Sequence, residues 1–320
     1  MQLHSLNVGC FGGGTGLPSL IGGLKSNPWL TVNAVVTMFD SGGSSGQLRD
    51  ELGVLPPGDV LKCALALARN EREARRVLLS RMPLPEHVRL RGHTSGNLLL
   101  SMMERYSGDF VAAVNGLCAL LGCRGRVWPV STEQATICAE YGDGSSTRGE
   151  VEVDAGQSAG HAVERLWLEP EVTLHELAAR AIASFDAIVI GPGSFYTSLL
   201  PIFLVKGSAA AIQEVKGPVI LVTNLLTEGS GMAKFTAGEA VRKISDAIGR
   251  QVDVALVNTS TPGEKTLAQY RQEHKTPLPI GDIPPSCEVV LGEFWCRDIA
   301  RHDRRRLATA VWAVLARRML

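Results

Sequence analysis

Two apolar segments near the N-terminus, residues 6–11 and 32–39, are rich in β-branched or aromatic residues, and each runs into a Gly-rich loop. Apolar runs of this length without alternation are the pattern of parallel strands buried on both faces. Residues 17–25 have helical spacing, which makes a strand, helix, strand unit. Pro56 and Pro57 then interrupt the chain, Asp59 is placed to cap a helix, and 60–68 is apolar at helical spacing. Further helices are predicted over 97–105, 110–121 and 174–184. In the second half, strands at 187–190, 219–223 and 254–258 alternate with helices over 198–214 and 237–248. Such alternation specifies an α/β fold, a Rossmann-like doubly wound and mostly parallel sheet.

Between the halves, over 126–168, the pattern changes to short alternating segments (135–140, 150–153 and 163–168) around the turn Gly142-Asp143-Gly144. This predicts a small β-rich antiparallel insertion within a single nucleotide-binding domain spanning 1–320. No internal repeat of solenoid length is present. The last helix, 303–318, carries Leu307, Ala310, Val311, Val314 and Leu315 on one face, which suits closure of the fold or a subunit contact, and a homo-oligomer is expected.

Composition narrows the partners. The 320 residues are 45% hydrophobic with 34 Gly, enough apolar material for a sizeable core. Lys plus Arg equals Asp plus Glu at 32 each, so no global field draws the chain to nucleic acid or a membrane surface. An anionic ligand must therefore be held by a local site. No apolar run reaches about 18 residues, and the first ten residues lack the regions of a signal peptide, so a cytoplasmic location is expected. Seven Cys form no C-x-x-C pair and sit mostly in apolar runs, predicting buried thiols. The seven His show no metal-ligand spacing, and no transition-metal site is predicted.

The first loop reads Gly12-Gly13-Gly14-Thr15-Gly16-Leu17-Pro18, between a predicted strand and helix. Glycines there let backbone N–H groups approach an anion, and the helix N-terminus adds partial positive charge. The loop is a phosphate cradle or a tight strand-to-helix turn; it is neither a Walker A loop nor a G-x-G-x-x-G fingerprint. The second loop, Asp40-Ser41-Gly42-Gly43-Ser44-Ser45-Gly46, follows the next strand at the same expected edge, where open α/β sheets bind ligands. Its carboxylate suits ribose hydroxyls or a hydrated Mg²⁺, and its Gly and Ser residues offer donors, with Arg49 just beyond. Gly42-x-Ser44-x-Gly46 also matches the nucleophile-elbow pattern of serine hydrolases. Because Asp40 and Ser41 intervene between strand and pattern, Ser44 is assigned as a hydrogen-bond donor.

Two later clusters have similar chemistry. Gly92-His93-x-x-Gly96-Asn97 opens a helix with an imidazole and an amide, and Gly191-Pro192-Gly193-Ser194-Phe195-Tyr196-Thr197 joins a strand to a helix. Asn224 and Asn258 each follow a predicted strand, as ligand amides or as turn formers.

Together, GGGTGLPSLIGGLK (12–25), DSGGSSGQLRDELGVLPPGD (40–59), GHTSGNLLL (92–100), GDF (108–110), RGRVWPVS (124–131), GPGSFYTSLLP (191–201) and RHD (301–303) resemble the family that joins YvcK-type gluconeogenesis factors to CofD-type 2-phospho-L-lactate transferases. The resemblance spans nearly the whole chain, and the GGSSG and GPGSFYTS strings are similar to the YvcK branch. It implies a factor that binds a nucleotide diphosphate or nucleotide sugar such as UDP-N-acetylglucosamine and supports growth and cell shape on gluconeogenic carbon. The alternative branch implies a transferase moving a phospholactyl-type unit from a guanosine diphosphate donor to the deazaflavin Fo with Mg²⁺. The chain departs from the pattern in having Asp40-Ser41 where two acids are usual, which leaves Asp40 as the single candidate for Mg²⁺ and for catalysis. It also has Lys62 where Asn is common, a charge that with Arg49 or Arg301 would balance a phosphate.

Overall fold

In a computed structural model that describes residues 5–81 and 92–320, the apolar runs assemble into one sheet. The chain begins with β1 (Leu6–Gly12), α1 (Gly16–Leu24) and β2 (Leu30–Val36), followed by α2 (Gly43–Leu52), α3 (Gly58–Leu67), α4 (Glu71–Leu78), α5 (Ser95–Ser107) and α6 (Phe110–Leu120). Strand β3 (Arg126–Pro129) precedes β4 (Thr136–Tyr141), β5 (Ser146–Arg148), α7 (Glu150–Ser158) and β6 (Val163–Glu169). The second half runs α8 (Glu176–Ile182), β7 (Ala187–Ile190), a π-helical turn (Phe195–Leu199), α9 (Leu200–Leu204), α10 (Ser208–Gln213), β8 (Val219–Val222), α11 (Ala237–Ile248) and β9 (Val254–Asn258). It closes with α12 (Glu264–Arg271), β10 (Glu288–Gly292), β11 (Trp295–Cys296), β12 (Ile299–His302) and α13 (Arg304–Met319).

Seven strands form the main sheet in the order β10-β9-β8-β7-β1-β2-β3, and every pairing is parallel. The winding runs outward through β2 and β3 on one side of β1, and through β8, β9 and β10 on the far side of β7. The order therefore reverses between β1 and β7, the place where an open α/β sheet leaves a crevice beyond its strand ends. Strands β7 and β8 are buried at every position, as expected for strands covered on both faces. Phe11 of β1 meets Phe185 edge-on and stacks on Phe203, which anchors the middle of this sheet.

A separate three-stranded antiparallel sheet, β5-β4-β6, forms the insertion. Its start differs from the expectation, because β3 pairs with β2 in the main sheet. The alternating 150–153 segment is helical rather than extended, since its first N–H groups find a cap outside the segment. Residues 198–214 form three short pieces instead of one helix, and the strand expected over 32–39 ends at Val36. Asp59 lies inside the first turn of α3, where Pro57 holds the cap position, so its carboxylate is free for another partner.

Helix α13 closes the fold against α1. A Cβ on Gly23 would lie 2.4 Å from the Arg304 backbone oxygen, so only glycine permits this approach. Leu307, Val311, Val314 and Leu315 are buried, and Asp303 caps the helix by accepting from the N–H groups of Arg305 and Arg306. Glu71 joins α4 to both partners through Lys25 at 3.1 Å and Arg304 at 2.8 Å.

Candidate functional site

Each inner strand ends in a loop at the same edge of the sheet. β1 delivers Gly12 to Gly16, β7 delivers Gly191 to Ser194, and β8 delivers Asn224 to Glu228. The first two loops touch: a Cβ on Gly16 would sit 2.0 Å from the Pro192 carbonyl oxygen. Around this contact opens a cavity of about 370 Å³, lined by Thr15, Gly16, Ser19, Pro192, Gly193, Ser194, Asn224, Glu228, Lys275, Arg301 and His302, with Asp154 and Ser158 from the insertion.

Both glycine loops spend part of their amide capacity internally. The Gly14 N–H donates to Asp59 Oδ2 at 2.7 Å, and Lys62 Nζ holds the other carboxylate oxygen at 2.9 Å. Burial alone would lower the Lys62 pKa, but Asp59, with Asp40 behind it, holds the ammonium above its ordinary value. At the second loop, the Phe195 N–H donates to Glu228 at 2.9 Å, the Ser194 hydroxyl donates to the same carboxylate, and Asn224 Nδ2 donates to it as well. Asn224 also accepts from the Gly193 N–H and donates to the Gly193 carbonyl. Burial pushes the Glu228 carboxyl up to about 7, against the pull of the Phe195 N–H, with Asp154 adding to the rise.

The remaining cationic and donor capacity lies at the start of α1. No side chain caps that helix and no acid occupies its first turn, and Thr15 and Gly16 at its start line the cavity. Arg301 is exposed at the rim, and Lys275 lines the wall while paired to Glu273 at 2.7 Å. Buried His302 has its pKa pushed down to about 4 by burial, despite a hydrogen bond to the Thr223 backbone, so its ring is neutral at pH 7. An anion at the α1 end and hydrogen-bonding groups at the Asn224 end are what this cleft can hold.

A second polar cluster adjoins the first loop. Ser41 and Glu150 cap one another: the Glu150 N–H donates to Ser41 Oγ at 2.9 Å, and the Ser41 N–H donates to Glu150 Oε2 at 3.0 Å. Glu150 also hydrogen-bonds Asp40, and burial first, then the Asp40 charge, raise its pKa far above the usual carboxylate range. Burial and the neighbouring Asp40 charge thus favour the protonated form of Glu150. Glu150, from the insertion, is a second acid beside Asp40. Among the described residues, no group of three or more His, Cys, Asp or Glu could hold a metal ion.

Of the residues singled out in the sequence, Thr15, Gly16, Pro192, Gly193, Ser194, Asn224 and Arg301 line the cleft. Thr197 lies behind it, its hydroxyl within hydrogen-bond distance of Asp154 Oδ1 at 3.1 Å and Ser194 Oγ at 2.6 Å. Asp40, Ser41, Gly42, Asp59 and Lys62 belong to the second cluster. Gly43, Ser44 and Ser45 form the first turn of α2. Ser44 meets His93 and Asn97, which open the α5 region. Arg49 sits in the last turn of α2, paired with Asp50. Asn258 folds back on Ser260 and accepts from the Phe294 N–H, which is turn formation outside the cleft. Glu228, Lys275, His302, Asp154 and Glu150 were not singled out. For Glu228 a signal existed, an acid just past a β8 end that already carried Asn224; Glu150 offered none, since it reaches Asp40 only through tertiary folding.

Fold and site together define a doubly wound α/β protein with a polar cleft at its topological switch point. The chain belongs to the CofD family: residues 8–294 match the family described as 2-phospho-L-lactate transferase CofD. It is 37% identical to a gluconeogenesis factor of Halalkalibacterium halodurans over 313 residues, covering 95% of both chains. It is 34% identical to the gluconeogenesis factor of Listeria monocytogenes, covering 95% of this chain and 94% of that one. The crystal structure of a Bacillus halodurans protein superposes with a TM-score of 0.88 at 33% identity, covering 96% of this chain and 99% of the other. Among the described residues, no helix is long and apolar enough to cross a membrane.

Proposed function

We propose that this chain is a gluconeogenesis factor that binds a nucleotide sugar such as UDP-N-acetylglucosamine and acts as a regulatory protein. The observation that carries this reading is the division of the cleft. Uncapped α1 amides and Arg301 suit a diphosphate, while Asn224, Glu228 and neutral His302 suit the hydrogen-bonding faces of a sugar or base. A hydrated Mg²⁺, which takes one or two carboxylates and keeps its remaining waters, would be held by Asp40 with Glu150 beside it.

Calorimetry with UDP-N-acetylglucosamine tests the reading. Binding is expected, and Arg301→Ala should raise Kd about tenfold, equivalent to about 1.4 kcal/mol. Absence of binding by any UDP, GDP or NAD compound would overturn it. The Asp40, Glu150 and Lys62 cluster supports a second reading, the transferase, because it could orient an acceptor hydroxyl against a diphosphate donor. Incubation with Fo, Mg²⁺ and a guanosine diphospho-lactate donor separates the two. The expected result is no phosphorylated deazaflavin, and turnover that Asp40→Asn removes would establish the transferase instead.

A further inference from the structure

Ser44 has surroundings that nucleotide binding does not require. Its Oγ lies 2.9 Å from His93 Nδ1 and 3.0 Å from Asn97 Nδ2. The amide nitrogen donates to Ser44 Oγ, which leaves the hydroxyl proton available to His93 Nδ1 in the tautomer that carries its ring proton on Nε2. Asn97 is 5% exposed, and its Oδ1 is buried with no partner, so the amide is committed to Ser44 without a compensating bond on its other side. His93 is buried at 1% exposure, which fixes the imidazole against the hydroxyl.

The position of Ser44 completes the chemistry. It is the second residue of α2, a helix of 10 residues with no side-chain cap. The Gly46 N–H is the first to bond back into the turn, to the Gly42 carbonyl, so the N–H groups of Gly43, Ser44 and Ser45 have no acceptor within the helix. A Cβ on Gly43 would meet nothing within 4 Å, which leaves this turn open to an approaching molecule. The Asp40 carboxylate flanks the same turn: a Cβ on Gly58 would contact both Asp40 Oδ2 and Ser45 Oγ. A neutral electrophile suits such a place better than an anionic phosphate, which Asp40 would repel.

We propose that Ser44 is a nucleophile activated by His93, and that it forms an acyl ester with a carboxylic ester or thioester. This goes beyond the nucleotide-binding reading and uses groups outside the cleft. Ser44 Oγ attacks the carbonyl carbon as its proton passes to His93 Nδ1, and α2 amides receive the developing oxyanion. Collapse breaks the bond to the leaving alkoxide or thiolate, which takes the proton from His93. Water then repeats the sequence and releases the acid. The pattern is not a hydrolase elbow, because residues 37–42 separate β2 from α2, and so Gly42-x-Ser44-x-Gly46 alone did not identify it.

Incubating the full chain with a fluorophosphonate probe, followed by peptide mapping, tests the proposal. The expected outcome is phosphonylation at Ser44, with fluoride leaving, and a rate at least tenfold lower in both His93→Gln and urea-unfolded wild type. Ser44→Ala should remove the label. No modification of the folded wild-type protein, modification at another residue, or equal rates in folded and urea-unfolded chain would each overturn it. The urea comparison needs no variant to fold.

Discussion

Replacing Glu228 by Gln tests the electrostatics of the second loop through stability alone. Burial moves the wild-type carboxyl from 4.5 to about 7. At about 1.4 kcal/mol per unit, the folded state prefers the protonated form by roughly 3 kcal/mol. Because the folded pKa is raised, this contribution is fully present below pH 4.5 and is lost as pH rises through 7. The Gln side chain cannot ionise, so the variant lacks that loss. It does lose an acceptor for the Phe195 N–H or the Ser194 hydroxyl, a penalty that stays constant with pH.

The quantity to follow is therefore the difference in melting temperature, variant minus wild type, across pH 4 to 8. An unfolding entropy of about 2.1 cal/mol/K per residue gives roughly 0.7 kcal/mol/K for this chain, so the difference should climb by about 4–5 °C. The neutral His302 and the raised Glu150 also titrate, but they are common to both proteins and cancel in the difference. Differential scanning calorimetry at unit pH steps suffices. A difference that stays flat within a degree would mean that Glu228 ionises normally, and that the second loop holds it as an ordinary surface carboxylate.

Two further substitutions probe the frame around the site. Gly16→Ala places a methyl 2.0 Å from the Pro192 carbonyl oxygen and must part the two loops; it should cost about 1–3 kcal/mol and weaken UDP-N-acetylglucosamine at least tenfold by calorimetry, and wild-type affinity would place the ligand elsewhere. Glu71→Gln removes the carboxylate shared by Lys25 and Arg304. Burial opposes ionisation there, but those two cations hold the Glu71 pKa below its ordinary value, so wild type gains stability above pH 4.5 that fades on acidification. The variant should be less stable by about 1–3 kcal/mol at pH 7, with the gap closing at lower pH in thermal melts.

Local signals carried five of the seven strands of the main sheet, while β3 was assigned to the insertion and β10 was not predicted. Residues 187–190 and 254–258 are the observed β7 and β9, and 237–248 is α11, because apolar runs and helical periodicity depend only on near neighbours. The failures share a non-local cause. Glu150-Val151-Glu152-Val153 alternates like a strand, yet it is helical because Ser41 Oγ, 109 residues away, accepts the Glu150 N–H and caps the turn. Asp59 follows two prolines and looks like a cap, but its carboxylate answers the Gly14 N–H instead.

The same cause explains why the glycine loops were legible in the sequence while the groups that occupy their amides were not. A loop rich in backbone donors is legible as such, whereas the acceptor that fills it is not. Here Asp59 reaches Gly14 across 45 residues and Glu228 reaches Phe195 across 33, each carboxylate lying where a free cradle would take phosphate oxygens. A phosphate at either N–H would have to displace a hydrogen-bonded carboxylate and face its charge. No acid occupies the first turn of α1, and Thr15, Gly16 and Arg301 line the cleft beside it, which is why the proposed diphosphate is assigned there. The carboxylates hold the two glycine loops in register through these bonds, and such preorganisation lowers the ordering cost of any ligand that enters the cleft.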